Sequence, residues 1–225
     1  MVLVALRDVF DTIFHPQGRG VVSGALIRGV WRAMRGVAGG NHAVLSLAGP
    51  LAFITVLATW GVLVILGFAL ILWPHFPEGF AVADNVTVDG GLDDALYLSM
   101  VNLTSLGYGD IVPTGELLRF VGPIETLIGL GLLTAGISWI LLLYRVLSEA
   151  RSLSHEISLL LDAVDTTGIG LPGIEPQVAA RILADLTTRA VTMRDDLVHS
   201  PIAYYFHPGD RRHALPLLLP DLIAV

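Results

Sequence analysis

The chain contains no cysteine and no lysine. Without cysteine it has neither a disulfide framework nor a thiolate metal site. Without lysine, all 13 basic residues are arginines. The seven histidines, at positions 15, 42, 75, 155, 199, 207 and 213, show no metal-ligand spacing. They read as solvated or structural, with His155 the one candidate pH sensor. No hydrolase elbow, phosphate-binding glycine loop or metal-dependent catalytic motif occurs, so an enzyme is not expected. No helix repeats arginine at every third position, which removes a voltage sensor. The apolar start, Met1 to Leu6, runs into Arg7 and Asp8 with no basic region before it and no clear cleavage site, so no secretory signal peptide is expected. Asn85-Val86-Thr87 and Asn102-Leu103-Thr104 fit the glycosylation sequon, but neither reads as a modified site.

Apolar residues are what the chain has in excess. They make up 54% of it, and mean hydropathy is +0.72, which points to a membrane protein. Leu51–Leu72 is an uncharged run. At about 1.5 Å per residue it is long enough for a bilayer core. Trp73, Pro74 and His75 mark its far interface. A second run, Arg119–Tyr144, is apolar apart from Arg119 itself and Glu125, and carries Gly122, Pro123, Gly129, Gly131 and Gly136. That many glycines are costly in a helix unless close packing or bending requires them.

Between the two runs lies a polar loop over 74–92. Asp93 and Asp94 then precede an apolar segment, Ala95–Leu103, too short to span. An acidic start and a short apolar body predict a re-entrant helix descending partway, with its carboxyl end favouring a cation at mid-membrane. It leads into Thr104-Ser105-Leu106-Gly107-Tyr108-Gly109-Asp110. Glycine admits positive φ and lets neighbouring carbonyls turn the same way. Carbonyls facing a common axis replace the water around a dehydrated cation, which is how a potassium selectivity filter works. Irregular backbone at that depth survives only where it lines a cavity.

Charge sets an orientation. Residues 1–50 carry five arginines (7, 19, 28, 32 and 35) and residues 145–225 carry seven, whereas 74–120 carries one against seven acids (78, 84, 89, 93, 94, 110 and 116). The positive-inside rule places both termini in the cytoplasm and the glycine-rich stretch outside. The acidic mouth would concentrate cations.

Residues 1–14 are too short to cross and predict a helix lying at the interface or packed on a neighbour. His15-Pro16-Gln17-Gly18 predicts a turn. Residues 21–38 predict an amphipathic helix, with Arg28, Arg32 and Arg35 on one face and Ile27, Val30, Trp31 and Met34 on the other. Such a helix suits an anionic leaflet or, alternatively, packs on a cytosolic domain. After Tyr144 the helix continues to Val164, with Leu153, Ile157, Leu160, Leu161 and Val164 on one stripe. Gly168, Gly170, Pro172, Gly173 and Pro176 form a linker, and 177–198 predicts a second helix with Val178, Ile182, Leu186, Ala190, Met193 and Leu197 on one face. The two stripes can pack on each other or on neighbouring subunits. The proline-rich end, Pro201–Val225, predicts no particular role. The tripeptides Phe14-His15-Pro16 and Phe206-His207-Pro208 match by chance, since nothing around them repeats.

From about Pro50 to Tyr144 the chain resembles the two-transmembrane (pore-loop) potassium channel family. The resemblance rests on outer helix, pore helix, filter and inner helix in order, and on Tyr97-Leu98-Ser99, Thr104–Asp110 and Pro113. It implies that Ser105, Leu106, Gly107, Tyr108 and Gly109 form the ion-binding layers, with potassium the only metal and no other cofactor. It further implies that Thr104, Asp110 and Tyr97 support the filter, Tyr97 bonding to Asp110. Gly129 stands at the inner-helix hinge position, where it serves either as a gating hinge or as a packing notch against another helix, with Gly131 and Gly136 further hinge or gate candidates. Thr134 and Ser138 line the inner cavity or bond back to their own helix. Glu125 pairs with Arg119, contacts the pore helix, or makes a structural hydrogen bond. The sequence departs from the family at Ser105 (usually threonine), Leu106 (usually valine), Asn102 (commonly threonine) and Val101 (glutamate in some relatives). The nucleotide-binding regulatory domain common in the family is not expected.

The expected fold is an all-α membrane protein in which two transmembrane helices flank a re-entrant pore helix and filter, with a small helical cytosolic tail. Residues 1–43 hold the N-terminal helices and 44–144 the pore domain (outer helix about 51–73, pore helix about 93–104, filter 105–109, inner helix about 119–144), and 145–225 form the tail. The expected function is passive, potassium-selective conduction by a homotetramer in the cell membrane. The partners are lipid, not nucleic acid, with room for a cytosolic partner of the tail. The alternatives are a poorly selective cation channel and a non-conducting sensor or assembly protein.

Overall fold

The computed structural model describes residues 1–13, 20–39, 41–84, 86–170 and 173–206. The predicted turn at 15–18, Asn85 of the first sequon, Pro172 of the linker and the end beyond residue 206 lie outside the described residues. The protein is an all-α membrane protein. Its helices are α1 (Val2–Ile13), α2 (Val21–Ala38), the short α3 (His42–Leu45), α4 (Ala48–Leu72), α5 (Leu92–Leu103), α6 (Leu118–Thr167) and α7 (Pro176–His199). Two helical stretches, within Ala43–His75 and Leu118–Thr167, are long and apolar enough to cross a membrane. Part of the stretch over 74–92, read from sequence as a loop, pairs with the segment after the glycine-rich stretch as two short antiparallel strands, β1 (Phe80–Val82) and β2 (Ile111–Pro113). Burial of Phe80 and Ile111 with Leu72, Phe76, Ala95, Leu98 and Leu118 holds the pair down.

The contacts divide the chain into two compact units. The first comprises Met1–Phe14, Gly20–Ser23 and Ile54–Trp139, and the second contains Gly24–Phe53 and Ile140–Val225. In the first, α1 packs on the outer helix α4: Ala5 is buried with Val64 and Phe68. Leu3 and Phe10 remain exposed. The buried carboxylate of Asp8 fixes this arrangement. It accepts from the Trp60 indole N–H at 2.9 Å and from the Val22 and Ser23 amides at 2.8 and 2.9 Å, so one side chain on α1 caps α2 and grips α4. Thr12 and Ser23 hydroxyls meet at 2.7 Å beside it. Trp60 also stacks on Trp139 of α6, ring centroids 5.6 Å apart. Asp8→Ala would strand two buried donors and one half-buried donor. It should lower stability by about 2–4 kcal/mol, read as an earlier thermal transition of the detergent-solubilised protein.

In the second unit, Leu153 and Ile157 of α6 bury against Leu186 of α7, flanked by Leu160, Leu161, Ile182 and Met193. The two predicted stripes therefore meet each other. Arg189, stacked in sequence with Arg181 and Asp185, instead pairs with Glu156 across the helices and donates to Ser152 Oγ at 3.0 Å. Pro201–Tyr205 forms a 3-10 turn whose Tyr205 ring meets the edge of Trp31 on α2, centroids 5.5 Å apart. The start of the proline-rich end thus has a docking role that its composition did not reveal.

Candidate functional site

The site grows from the N-terminus of α5. Gly91 is its N-cap, and Asp94 reaches back to accept from the Gly90 and Gly91 amides at 2.9 and 3.2 Å. Those are donors a helix start leaves unpaired, and a carboxylate there also complements the helix dipole. At the other end, Leu103 lies against Gly129 of α6. Gly129 is eleven residues into α6, roughly 16 Å along its axis. That distance is about half of the ~30 Å thickness of a bilayer core.

The end of α5 sets the course of the next five residues. The Leu106 amide bonds to the Val101 carbonyl at 3.1 Å and the Ser105 amide to the Asn102 carbonyl at 3.0 Å, while Ser105 takes φ +61°. This is a Schellman cap with serine, in place of the usual glycine, in the left-handed position. Thr104 is satisfied locally, its hydroxyl bonding to the Met100 carbonyl at 2.7 Å. Gly107 and Gly109 then take φ +55° and +74°, with Leu106 and Tyr108 between them outside the positive-φ set. Handedness that alternates residue by residue turns successive peptide planes the same way, gathering amides on one side and carbonyls on the other. Among the described residues no carbonyl from 105 to 109 accepts a hydrogen bond. In the single chain all five residues are exposed, Leu106 by 57% and Tyr108 by 66%.

The outer end of the stretch is fastened. Asp110 Oδ2 accepts from the Tyr97 hydroxyl at 2.5 Å, Oδ1 accepts from the Ile111 amide at 3.1 Å, and the Asp110 carbonyl takes the Ala83 amide at 2.9 Å. The strand pair thus closes a ring around the exit of the stretch. The hydrogen bond to Asp110 raises the Tyr97 phenol above its ordinary pKa of 10, aided by burial and by the Asp110 charge. The neutral phenol is the donor, so the link is complete below the unfolded-state value and is lost only as pH rises through the higher folded-state value. In an ultraviolet titration one phenolate should appear later than the rest. Tyr97→Phe should abolish that late step and loosen the outer end of the stretch, seen as faster hydrogen exchange at Ile111.

Behind the stretch, Glu125 is fully buried and meets Ser99 and Asn102 of α5 rather than Arg119. Thr126 donates to the Asn102 carbonyl at 2.8 Å. Gly129 is pressed on the Leu103 backbone and Gly136 on the Leu57 side chain. Thr134 is exposed and its hydroxyl bonds back to the Leu130 carbonyl at 2.8 Å, and Ser138, one turn further along α6, is exposed as well.

A family model described as "Ion channel" matches residues 79–145, less than a third of the chain, and that span runs from before β1 into α6. The chain is also 26% identical over 150 residues to an uncharacterized membrane protein, YdjJ, of Bacillus subtilis (strain 168). The match takes in 66% of this chain and 43% of that relative. No solved structure matches. The matched span contains every residue of this site except Leu57 of α4.

Proposed function

We propose that the protein conducts potassium passively across the cell membrane as a homotetramer. Four copies of residues 105–109 surround a common axis, and the carbonyls of Ser105, Leu106, Gly107 and Tyr108, with the Ser105 hydroxyl, replace the hydration shell of the ion. The observation that carries this reading is the run of alternating φ signs from Ser105 to Gly109 with carbonyls that bond to nothing among the described residues. Such backbone at mid-membrane depth requires a water-filled or protein-enclosed surrounding, which one chain does not provide and a ring of copies does. Ions shed water, occupy alternate layers and displace one another. Thr104, Tyr97 and Asp110 hold the strand, and Thr134 and Ser138 face the inner cavity. The arginine distribution supports a cytoplasmic location of both termini, where the α6–α7 hairpin would meet a partner.

The test is the reversal potential of the reconstituted protein under opposed potassium and sodium gradients. A value near the potassium equilibrium potential is expected. A value near zero would instead select the poorly selective channel, a reading that Ser105 and Leu106 favour because neither has the stiffening β-branch. No current under varied pH, calcium and voltage would select a non-conducting sensor.

A further inference from the structure

Glu125 is the most deeply buried carboxyl group of the spanning helices among the described residues, at 0% exposure, and the proposed conduction path does not use it. Its surroundings can be counted in hydrogens. The Ser99 hydroxyl lies within bonding distance of two acceptors, the Ile65 carbonyl of α4 at 3.0 Å and Glu125 Oε1. A serine hydroxyl has one hydrogen to give. If Glu125 is ionised, one of the two contacts sets oxygen against oxygen with no hydrogen between them. If Glu125 carries a proton on Oε1, both contacts are satisfied: Glu125 donates to Ser99, and Ser99 donates to Ile65. The other oxygen, Oε2, then accepts from Asn102 Nδ2 at 3.2 Å, as the carbonyl oxygen of a neutral acid does.

Charge leads to the same assignment. An ionised carboxylate buried in a span needs a cation or several donors. Glu125 has two neutral partners. The charged and titratable groups on the elements packed around it are engaged elsewhere or lie apart from it. On α5, Asp94 caps the helix start, Tyr97 is bonded to Asp110, and Asp93 is at the opposite end. On α6, Arg119 makes no ion pair with it among the described residues. The outer helix α4 has none, and on α1 Arg7 pairs with Asp11 while Asp8 holds Trp60.

We propose that Glu125 is held as the neutral acid and that its proton is the fastener joining α5 to both spanning helices, so that ion flow through residues 105–109 depends on it. The link to the filter is short. The Asn102 side chain bonds to Glu125, and the Asn102 carbonyl takes the amide of Ser105, the first filter residue. Ionisation converts Glu125 into an acceptor only. Ser99 must then turn its hydrogen away from Ile65, and the tie between α5 and α4 is lost. Conduction should therefore fall on the alkaline side. Glutamine reproduces the neutral acid, donating to Ser99 and accepting from Asn102, and it cannot ionise.

The coupling to ion flow rests on the channel reading, whereas the position of the proton does not, so two readouts are needed. Infrared difference spectra of the full-length protein in lipid, wild type against Glu125→Gln, report the carbonyl stretch of a protonated carboxyl. Bilayer currents of the same two proteins across neutral to alkaline pH report the coupling. The expected result is an acid band in wild type at neutral pH that is missing from E125Q and bleaches at alkaline pH, with an alkaline loss of wild-type current that E125Q does not show. Absence of the band at neutral pH overturns the proposal. Identical pH profiles for the two proteins overturn the coupling. If the band is present but neither protein carries current, the proton assignment stands and the channel reading fails.

Discussion

Gly107→Ala should abolish ion conduction while leaving the chain folded. Gly107 sits at φ +55°, where an L-residue with a Cβ is disfavoured by about 1–2 kcal/mol. In a homotetramer that cost recurs in every chain. The nearby alternative for alanine is negative φ, which breaks the alternation and rotates a carbonyl out of the row. The effect within the chain is conformational, because a Cβ at 107 would meet no atom of its own chain within 4 Å. The core is therefore untouched, and helix content should match wild type. The measurement is rubidium flux together with potassium-dependent thermal stabilisation. A ligand that binds only the folded state raises the transition temperature, and that rise should vanish with the site. Leu106→Val is the control. Leu106 is not at positive φ, so valine fits the backbone and should keep both signals. An alanine variant that still conducts and is still stabilised by potassium would remove residues 105–109 from the permeation path.

The elements that dominate this fold were legible because each satisfies a strong local constraint. The uncharged run over 51–72 has the length and composition of a span, and the structure gives α4 as Ala48–Leu72. The short apolar segment behind Asp93 and Asp94 gives α5, Leu92–Leu103, with Asp94 acting at its first turn as an acid there should. Gly107 and Gly109 were legible for the same reason, since residue type itself permits their φ. The features that stayed hidden depended on partners distant in sequence. Asp8 was read only as one of the charges on a short apolar helix, and its role is set by Trp60, 52 positions away. For Glu125 the sequence offered Arg119, the short helix behind the filter or a structural hydrogen bond without choosing among them, because the partners that decide it, Ser99 and Asn102, lie on a different element. Ser105 gave no glycine signal for its φ of +61°, which arises from the cap that ends α5. A helix stop located one residue earlier, with the 6→1 and 5→2 bonds of a Schellman motif in mind, would have identified it.

The second large effect is expected at Gly129, where two roles make opposite predictions. A hinge glycine is needed for its backbone freedom, and alanine there should change opening while leaving the filter intact. A packing glycine is needed for its missing Cβ. In the structure a Cβ at 129 would fall well inside contact with the Leu103 carbonyl oxygen and 3.1 Å from the Leu103 carbonyl carbon. Those atoms are backbone, and they belong to the last residue of α5, directly before Thr104. They cannot turn aside as a side chain would. Overpacking of this kind costs about 1–3 kcal/mol, and relief requires that Leu103 move. Its neighbours Val101 and Asn102 carry the carbonyls that cap α5 and set Ser105, so the displacement reaches Ser105 within two residues. Gly129→Ala should therefore lose potassium-dependent stabilisation and at least ~tenfold in conduction, the equivalent of about 1.4 kcal/mol. A methyl group added at Gly131, on the same helix, would meet nothing within 4 Å. Gly131→Ala should be tolerated and should add up to about 1 kcal/mol of helix stability. Gly136 falls between them, because its neighbour is the end of the Leu57 side chain, 3.1 Å away and able to rotate. Single-channel recording separates the roles. Unaltered conductance with altered open probability in G129A would assign Gly129 to the hinge. Loss of conductance in G129A alone, with G131A and G136A still conducting, assigns it to the seat of the pore helix.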